Sequence, residues 1–187
     1  MTMAGTLAFE GHANPVAAEV AAVLRGEGLA SAPAGAVPDV LLLSAPLLLE
    51  AGAPPPADLV GAALRAAEAG CGRILCLLPV VAVLPARRFP GQSASAAAVL
   101  AGLRGLAMSF GGRARVNALG VGAIVGDDGA LVAGDAGFLR HVPGQRAGSL
   151  AEVAAAAVFL CDPANSYTTG QFLAVDGGWT AGYGRNF

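Results

Sequence analysis

Asp39-Val40-Leu41-Leu42-Leu43 is a continuous apolar run of the kind found in a strand buried on both faces of a parallel sheet. Further strands are predicted at Arg73–Leu78, Arg115–Leu119 and Phe172–Val175. Because predicted helices alternate with these runs, the pattern indicates an α/β fold with a parallel central sheet.

Four segments have the composition and spacing of helices. They are Pro15–Leu24, Ala57–Ala69, Ser93–Phe110 and Leu150–Leu160. Pro15 suits a first helical turn, and Ser149 is a candidate N-cap. Residues 120–148 are predicted to be irregular, and Asp127-Asp128-Gly129 within them predicts a turn in preference to a metal site. No repeat or internal boundary interrupts the chain, so residues 1–187 are predicted to form a single domain.

The composition points to a subunit of a larger assembly. Hydrophobic residues make up 55% of the chain and charged residues 13%, so apolar faces are expected to meet another subunit. A net charge of −2 offers no basic surface for nucleic acid. No membrane span is expected, because apolar runs such as Val40–Leu49 are interrupted by Ser44 and Pro46. Met1–Leu7 does not resemble a signal peptide, so a cytoplasmic location is expected.

All eleven basic residues are arginine, and the chain has no lysine. This excludes Schiff-base chemistry, a Walker lysine and any proton relay that uses lysine. The three cysteines, Cys71, Cys76 and Cys161, are expected to be buried thiols, and no metal site is predicted because no histidine lies near the first two in sequence.

The carboxyl-terminal half carries family motifs in the correct order and spacing. Arg115-Val116-Asn117-Ala118 followed by Gly122-Ala123-Ile124 resembles the segment R-V-N-x-x-x-P-G-x-I of the short-chain dehydrogenase/reductase superfamily. The following helix and the closing strand are similar to those of the family at three further stretches, Gln145–Gly148, Glu152–Ala154 and Ser166–Gly178. The resemblance covers roughly residues 92–180. It implies a Rossmann-like, doubly wound parallel sheet, and in active members it implies NAD(P) and a catalytic Tyr-x-x-x-Lys pair.

The chain departs from the family at each catalytic position. Gln92 stands at the tyrosine position and Ala96 at the lysine position, and neither side chain can relay a proton near neutral pH. The family spacing places Pro79 at the catalytic serine. The resemblance therefore implies a degenerate, non-catalytic member, and no catalytic residue is assigned.

The amino-terminal half departs from the family as well. Glu10–Ala17 stands where the family has T-G-x-x-x-G-I-G, with Pro15 and Ala17 at the second and third glycines, and Ser44–Pro46 stands within its N-N-A-G motif. The interval from Gly28 to Asp39 is too short for the strand, helix and strand that select the nucleotide. The sequence therefore predicts a truncated nucleotide-binding half, with NAD(P) binding lost and no cofactor-binding or metal residue.

Other chemistry finds little support in the sequence. Halohydrin dehalogenases share the family fold without a nucleotide, but they keep the serine and tyrosine that this chain lacks. Arg87 and Arg88 could contact an anion, although a solvated pair in a loop is the simpler interpretation. No motif places a partner around His12, and Ser93 and Ser95 fit helix capping or packing.

Family members are commonly tetramers built on two surfaces. Here these surfaces correspond to Ala57–Ala69 with Ser93–Phe110, and to Leu150–Leu160 with Tyr167–Val175; a role in the core of a single subunit is the alternative. The leading hypothesis is a non-catalytic subunit that assembles with an active member acting on a hydroxyacyl or ketoacyl substrate, whose pocket the segment Trp179–Phe187 could reach. Two alternatives stay open: a cofactor-free lyase or cyclase that uses Arg87, His12 or His141, and a homomeric scaffold or ligand-binding protein.

Overall fold

A computed structural model of the chain describes residues 3–50 and 56–181. The strands of its main sheet are Gly5–Gly11 (β1), Leu29–Ser31 (β2), Val40–Ser44 (β3), Arg73–Pro79 (β4), Arg115–Val121 (β5) and Phe172–Val175 (β9). Three further strands form a small second sheet: Ile124–Val125 (β6), Leu131–Ala133 (β7) and Gly148–Ser149 (β8). The helices are Pro15–Gly26 (α1), Leu59–Ala69 (α2), Pro90–Phe110 (α3) and Leu150–Cys161 (α4).

The main sheet has the order β2-β1-β3-β4-β5-β9, and every pair of neighbours is parallel. Helices α1 and α4 pack on one face, and α2 and α3 pack on the other. The predicted α/β, Rossmann-like, doubly wound fold is confirmed.

Strand β3 is buried along its whole length, as its sequence predicts. Leu42 packs in the cluster with α1 and α4, whereas Leu41 and Leu43 pack in the cluster with α2 and α3. Leu42 and Leu43 are both 0% exposed. The uninterrupted apolar run therefore reflects a strand that has a helix layer on each side.

Two helices begin at positions that differ from the prediction. Helix α2 begins at Leu59 because the Asp58 carboxylate accepts a hydrogen bond from the Gly61 amide (2.8 Å) and so caps the first turn. Helix α3 begins at Pro90, whose fixed φ suits a first turn. At α4 the predicted N-cap is confirmed, since Ser149 and Glu152 form a reciprocal capping box.

The link between β2 and β3 is short because the two strands are offset along β1. Strand β2 pairs with β1 only as far as Leu7, and β3 pairs with β1 from Leu7 onward to Gly11. Residues 32–39 therefore have to cross the width of β1 but not to return along its length. A parallel crossover normally needs about a dozen residues or more, and this offset explains how the chain manages without a helix there.

The prediction that residues 120–148 are irregular is wrong in part. The segment contains β6 and β7, which pair antiparallel, and a 3₁₀ turn at Ala136–His141. The predicted turn at Asp127-Asp128-Gly129 is confirmed: Gly129 has a φ of 78°, and the Asp128 carboxylate accepts a hydrogen bond from the Ala130 amide (3.0 Å). Local pairing of β6 and β7 depends on few residues, which is why periodicity alone did not reveal it.

Helix α3 is long and apolar enough to span a membrane by length and composition alone, with a mean hydropathy of 1.3 over its best window. Uninterrupted apolar runs do not reveal such a helix, because serine, glycine and arginine are interspersed along α3. Its buried residues, which include Val99, Leu100 and Leu103, pack in the cluster that α3 shares with β4 and β5. A core helix passes the same test, so the length and composition of α3 are weak grounds for a span.

Asn117 fastens the closing strand to the sheet. The side chain is 2% exposed, donates to the Thr168 carbonyl (2.9 Å) and accepts from the Gln171 amide (3.0 Å). On the same strand, Arg115 donates to the carbonyls of Ser166 and Gly111. The R-V-N motif therefore holds the loop that leads into β9.

We predict that Asn117→Ala lowers the free energy of unfolding by about 2 kcal/mol, because it leaves the Thr168 carbonyl and the Gln171 amide without a partner in a partly buried setting. Urea denaturation measures the change. Asn165→Ala, which removes a single hydrogen bond to the Phe159 carbonyl nearer the surface, is the control and should cost clearly less. Equal losses in the two variants would contradict this role for Asn117.

Candidate functional site

Successive strands are added on one side of β1 at β2 and on its other side from β3 onward, so the strand order reverses between β1 and β3. Open α/β sheets bind ligands at the carboxyl ends of the strands at such a point. Here that edge is formed by Gly11 at the end of β1 and Ser44 at the end of β3, which are paired in register. Gly11 has a φ of 108°, and a Cβ there would lie 3.0 Å from Leu59 Cδ2. The two strands therefore meet the start of α2 closely at this edge.

Asn14 fills the turn between β1 and α1 with its own hydrogen bonds. Its Oδ1 accepts from the Ala17 amide (2.9 Å), and its Nδ2 donates to Ser44 Oγ (2.9 Å) and to the His12 carbonyl (2.9 Å). Pro15 has no amide hydrogen to offer. The first turn of α1 is thus capped from within the protein, and Asn14 ties it to β3. The sequence signal for this cap is the position of Asn14 directly before Pro15, since asparagine is a preferred N-cap and proline a preferred first helical residue.

The region beside the end of β1 is open where a nucleotide-binding half would continue. Strand β2 stops level with Leu7, so no described strand lies on that side of Phe9 or Gly11. Phe9 is 37% exposed, and Glu10 and His12 are exposed as well. The predicted truncation of the nucleotide-binding half is seen here as an end of β1 that has no described neighbouring strand on one side.

Gln92 clamps the first turn of α3 to the segment after β3. Its Nε2 donates to the Leu48 carbonyl (3.2 Å), and its Oε1 accepts from the Glu50 amide (3.2 Å). Leu48 is bridged in turn to Gly134, and the Leu49 amide donates to the Gly134 carbonyl (3.0 Å). Both polar atoms of the Gln92 amide are therefore engaged with backbone.

The neighbours of Gln92 on α3 are packed inside the protein. Ser93 is 3% exposed; its Oγ donates to the Phe89 carbonyl (2.8 Å) and accepts from the Ala86 amide (3.2 Å). Ala96 is 3% exposed and lies in the apolar cluster between α3 and the sheet. Pro79 ends β4 opposite Val121 of β5 and is buried. Of the two roles expected for Ser93, capping or packing, packing is confirmed, because the first turn of α3 has no side-chain cap.

An apolar cluster occupies the space above β3 and β4. Leu49, Val81 and Phe89 are buried in it, and Phe138 and Trp179 stack on it with their ring centroids 4.4 Å apart. Trp179 is the one aromatic residue of the predicted tail segment that the structure describes; residues 182–187 lie outside the described range. The cluster therefore packs Trp179 against the start of α3, where Phe89 lies.

The cationic candidates lie around this cluster without converging on it. Arg88 pairs with Asp135 (3.5 Å), and its guanidinium lies 5.3 Å from the centre of the Phe89 ring. Arg87, His12 and His141 are exposed, and no described residue bonds to their side chains. Within residues 3–50 and 56–181, no three His, Cys, Asp or Glu side chains are grouped as metal ligands.

The three cysteines are buried free thiols, as expected. Burial raises the pKa of Cys161 to about 12 and raises the pKa of Cys76 further. Because the thiolate is the nucleophilic form, neither thiol is activated for chemistry.

A shallow depression of about 110 Å³ lies between α4 and the end of β9. Arg146, Glu152 and Asp176 supply its polar lining. Arg146 donates to both carboxylate oxygens of Glu152 (2.6 and 3.0 Å), and the Ser149 amide donates there too (2.8 Å). The Arg146 guanidinium and the Ser149 amide lower the pKa of Glu152 from 4.5 to about 2. The Arg146 and Glu152 charges of this depression are therefore paired with each other, and the Asp176 carboxylate accepts from the Gly178 (2.9 Å) and Thr180 (2.8 Å) amides.

Comparison with known proteins places these features in a family. The family model described as "Enoyl-(Acyl carrier protein) reductase" matches residues 54–180. An uncharacterized oxidoreductase of Mycobacterium tuberculosis is 34% identical over 117 residues, and a glucose 1-dehydrogenase of Gluconobacter oxydans is 37% identical over 114 residues. These matches cover 60% and 58% of this chain but only 44% and 43% of the relatives, so the chain aligns with less than half of each.

Solved structures extend the likeness to most of the fold. A 3-oxoacyl-[acyl-carrier protein] reductase from Brucella melitensis superposes with a TM-score of 0.70 at 21% identity, covering 92% of this chain and 90% of that one. An acetoin dehydrogenase from Enterobacter cloacae superposes with a TM-score of 0.63 at 25% identity, covering 89% of this chain and 70% of that one. The Brucella structure supports the fold alone, because so low an identity does not carry function.

We predict that Asn14→Ala lowers the free energy of unfolding by at least about 1 kcal/mol, since it removes the cap of α1 together with the link to Ser44. Asn14→Asp is the matched control, because it keeps an oxygen for the Ala17 amide but loses the donor to Ser44 Oγ. Its free energy of unfolding should lie between those of the wild type and Asn14→Ala. Thermal and urea unfolding measure the series. Wild-type stability in the alanine variant would exclude the cap as a stabilising element.

The Glu152 carboxylate predicts a response to acid. A carboxyl whose pKa is lower in the folded chain stabilises the folded chain above its unfolded pKa, and this contribution disappears as pH falls from 4.5 to about 2. Glu152→Gln should therefore flatten the loss of stability over that window, and more so at low salt because the pair is exposed. Arg146→Gln, which removes the guanidinium partner of this carboxylate, should flatten the profile in part. A wild-type acid profile in Glu152→Gln would argue against the pair.

Proposed function

Since the chain belongs to the short-chain dehydrogenase/reductase superfamily, we propose that it serves as a non-catalytic subunit of an oxidoreductase complex. In this proposal it assembles in the cytoplasm with an active member of the same family, which acts on a hydroxyacyl or ketoacyl substrate. The observation that carries the proposal is the Gln92 clamp. The side chain at the position of the family's tyrosine uses both of its polar atoms to hold backbone, at Leu48 and Glu50.

The other positions of the family's catalytic set support the same proposal. Ala96 offers no ammonium group to lower the pKa of a proton donor, and Pro79 offers no hydroxyl to orient a carbonyl. Both are buried among apolar neighbours. Nothing in this set can supply or receive a proton during hydride transfer.

The residues of the nucleotide crevice fit a dinucleotide poorly. A pyrophosphate needs free amides and close backbone approach at the start of the first helix. Here Pro15 has no amide hydrogen, the Ala17 amide is bonded to Asn14, and Glu10 adds negative charge nearby. We infer that NAD(P) is bound by the partner and not by this chain.

A cofactor-free lyase or cyclase is the weaker alternative. Such an enzyme needs an open cleft with converging polar groups. Leu49, Val81, Phe89, Phe138 and Trp179 fill this region with apolar side chains, and His12, Arg87 and His141 do not converge on it.

Two exposed surfaces are available for assembly. Helix α3 presents a row of exposed residues that lie alternately four and three positions apart. Four of them are small, and the fifth, Met108 at the end of the row, is 87% exposed. The members of the row are Ala94, Ala98, Ala101, Gly105 and Met108. Small residues at this spacing allow two helices to approach closely. At the other surface Phe159 is 55%, Tyr167 100% and Leu173 36% exposed. A homomeric scaffold would use the same surfaces, so a binding experiment has to distinguish assembly with an active family member from self-assembly.

Co-expression with an intact, Tyr-x-x-x-Lys-containing family member from the same genome tests the proposal. The two chains should co-purify, and titration calorimetry should show NAD(P) binding to the complex but not to this chain alone. A monodisperse homo-oligomer that leaves the folding and turnover of the partner unchanged would overturn the proposal.

We predict that Ala101→Glu prevents assembly through α3, because it places a charge in the centre of the small-residue row. Analytical ultracentrifugation measures the loss of the complex, and circular dichroism checks that the subunit stays folded. Ala22→Glu, at an exposed position of α1, is the control and should assemble normally. If Ala101→Glu assembles as well, α3 is not the contact surface.

A further inference from the structure

At the amino ends of the main sheet, away from the crevice, two arginines stand side by side. Arg73 at the start of β4 and Arg115 at the start of β5 are paired in register. Both guanidinium groups turn to the same loop after α4: Arg73 Nη2 donates to the Pro163 carbonyl (3.2 Å), and Arg115 Nε donates to the Ser166 carbonyl. The two positive charges are therefore held close together.

No described carboxylate lies within 4 Å of either guanidinium, since the described ion pairs involve other arginines. Two acidic residues in this part of the fold each use one carboxylate oxygen to bond to other groups. Asp39, beside Arg73 on the neighbouring strand, accepts from the Thr6 amide (2.7 Å) and hydroxyl (3.0 Å), and Asp162 accepts from the Ala164 amide (2.7 Å). The backbone carbonyls after α4 carry only partial negative charges, whereas the Arg73 and Arg115 guanidinium groups each carry a full positive charge.

The hydrogen-bonding capacity of the pair is also incomplete. Arg73 Nε is buried and has no partner, and a buried charged donor in that state is costly. Among the described acceptors none receives a hydrogen bond from Arg115 Nη2. An uncompensated double charge with free donors is stabilised most directly by an anion that accepts from both groups.

We propose that Arg73 and Arg115 bind one oxyanion, a phosphate or carboxylate group, between the amino ends of β4 and β5 and the loop at residues 162–166. Arginine suits this ligand because its planar fork presents several donors to oxygen acceptors at once. The site lies at the opposite edge of the sheet from the crevice, beside the assembly surface that carries Phe159 and Tyr167.

The test compares thermal unfolding of the protein, alone or in the complex in which it purifies, in phosphate, acetate and chloride at equal ionic strength. Phosphate should raise the melting temperature by about 3 °C over chloride at concentrations well above its dissociation constant. A shift in phosphate alone identifies a phosphate group as the ligand, and a shift in acetate too extends it to carboxylates. No shift in either anion would overturn the proposal.

Variants assign the effect to the two side chains. Arg73→Gln and Arg115→Gln should each abolish the anion-specific shift, Arg73→Lys should keep part of it, and Arg25→Gln on the exposed side of α1 should keep all of it. A shift of undiminished size in both glutamine variants would overturn the assignment. If neither variant folds, calorimetric titration of the wild-type protein with phosphate decides: saturable binding supports the site, and its absence refutes it.

Discussion

The pairing of β1 with two different strands along its length is the constraint on which the amino-terminal half depends. The first part of β1 is supported by β2 and the last part by β3, and the two partners meet at Leu7. Neighbouring strands lie about 4.8 Å apart, so residues 32–39 need to span only the width of β1. A helix between β2 and β3 thereby becomes dispensable, and the remaining sheet keeps its parallel order. The same offset removes the support beside Phe9 and Gly11, where a nucleotide-binding half would continue.

Polar side chains at the carboxyl edge of the sheet serve the fold itself. Asn14 links the start of α1 to Ser44, and Gln92 links the start of α3 to the segment after β3. In an enzyme such groups face a ligand and are left partly unsatisfied until it binds. Here both polar atoms of each side-chain amide are bonded within the chain, and Phe89 at the start of α3 lies in an apolar cluster with Trp179. These contacts stabilise the domain.

The amino edge of the sheet shows the reverse situation. Arg73 and Arg115 keep donors that no described residue accepts from, and neither forms an ion pair with a described carboxylate. In the proposals above, an anion binds at this end of the strands, opposite the crevice. The exposed side chains on α3 and at the end of β9 are the surfaces proposed for protein contacts.

The sequence by itself determined the α/β class, the buried strand at Val40–Leu43 and the family of the carboxyl-terminal half. These follow from local signals, because a strand buried on both faces needs an uninterrupted apolar run and family motifs keep their spacing. The sequence also located the substitutions at Gln92, Ala96 and Pro15. Only the tertiary structure decided what these residues do, since Gln92 meets Leu48 and Glu50, and Asn14 meets Ser44, across segments far apart in the chain. The offset of β2 and β3 and the meeting of Arg73 with Arg115 likewise arise from strand register, which depends on pairing between distant segments.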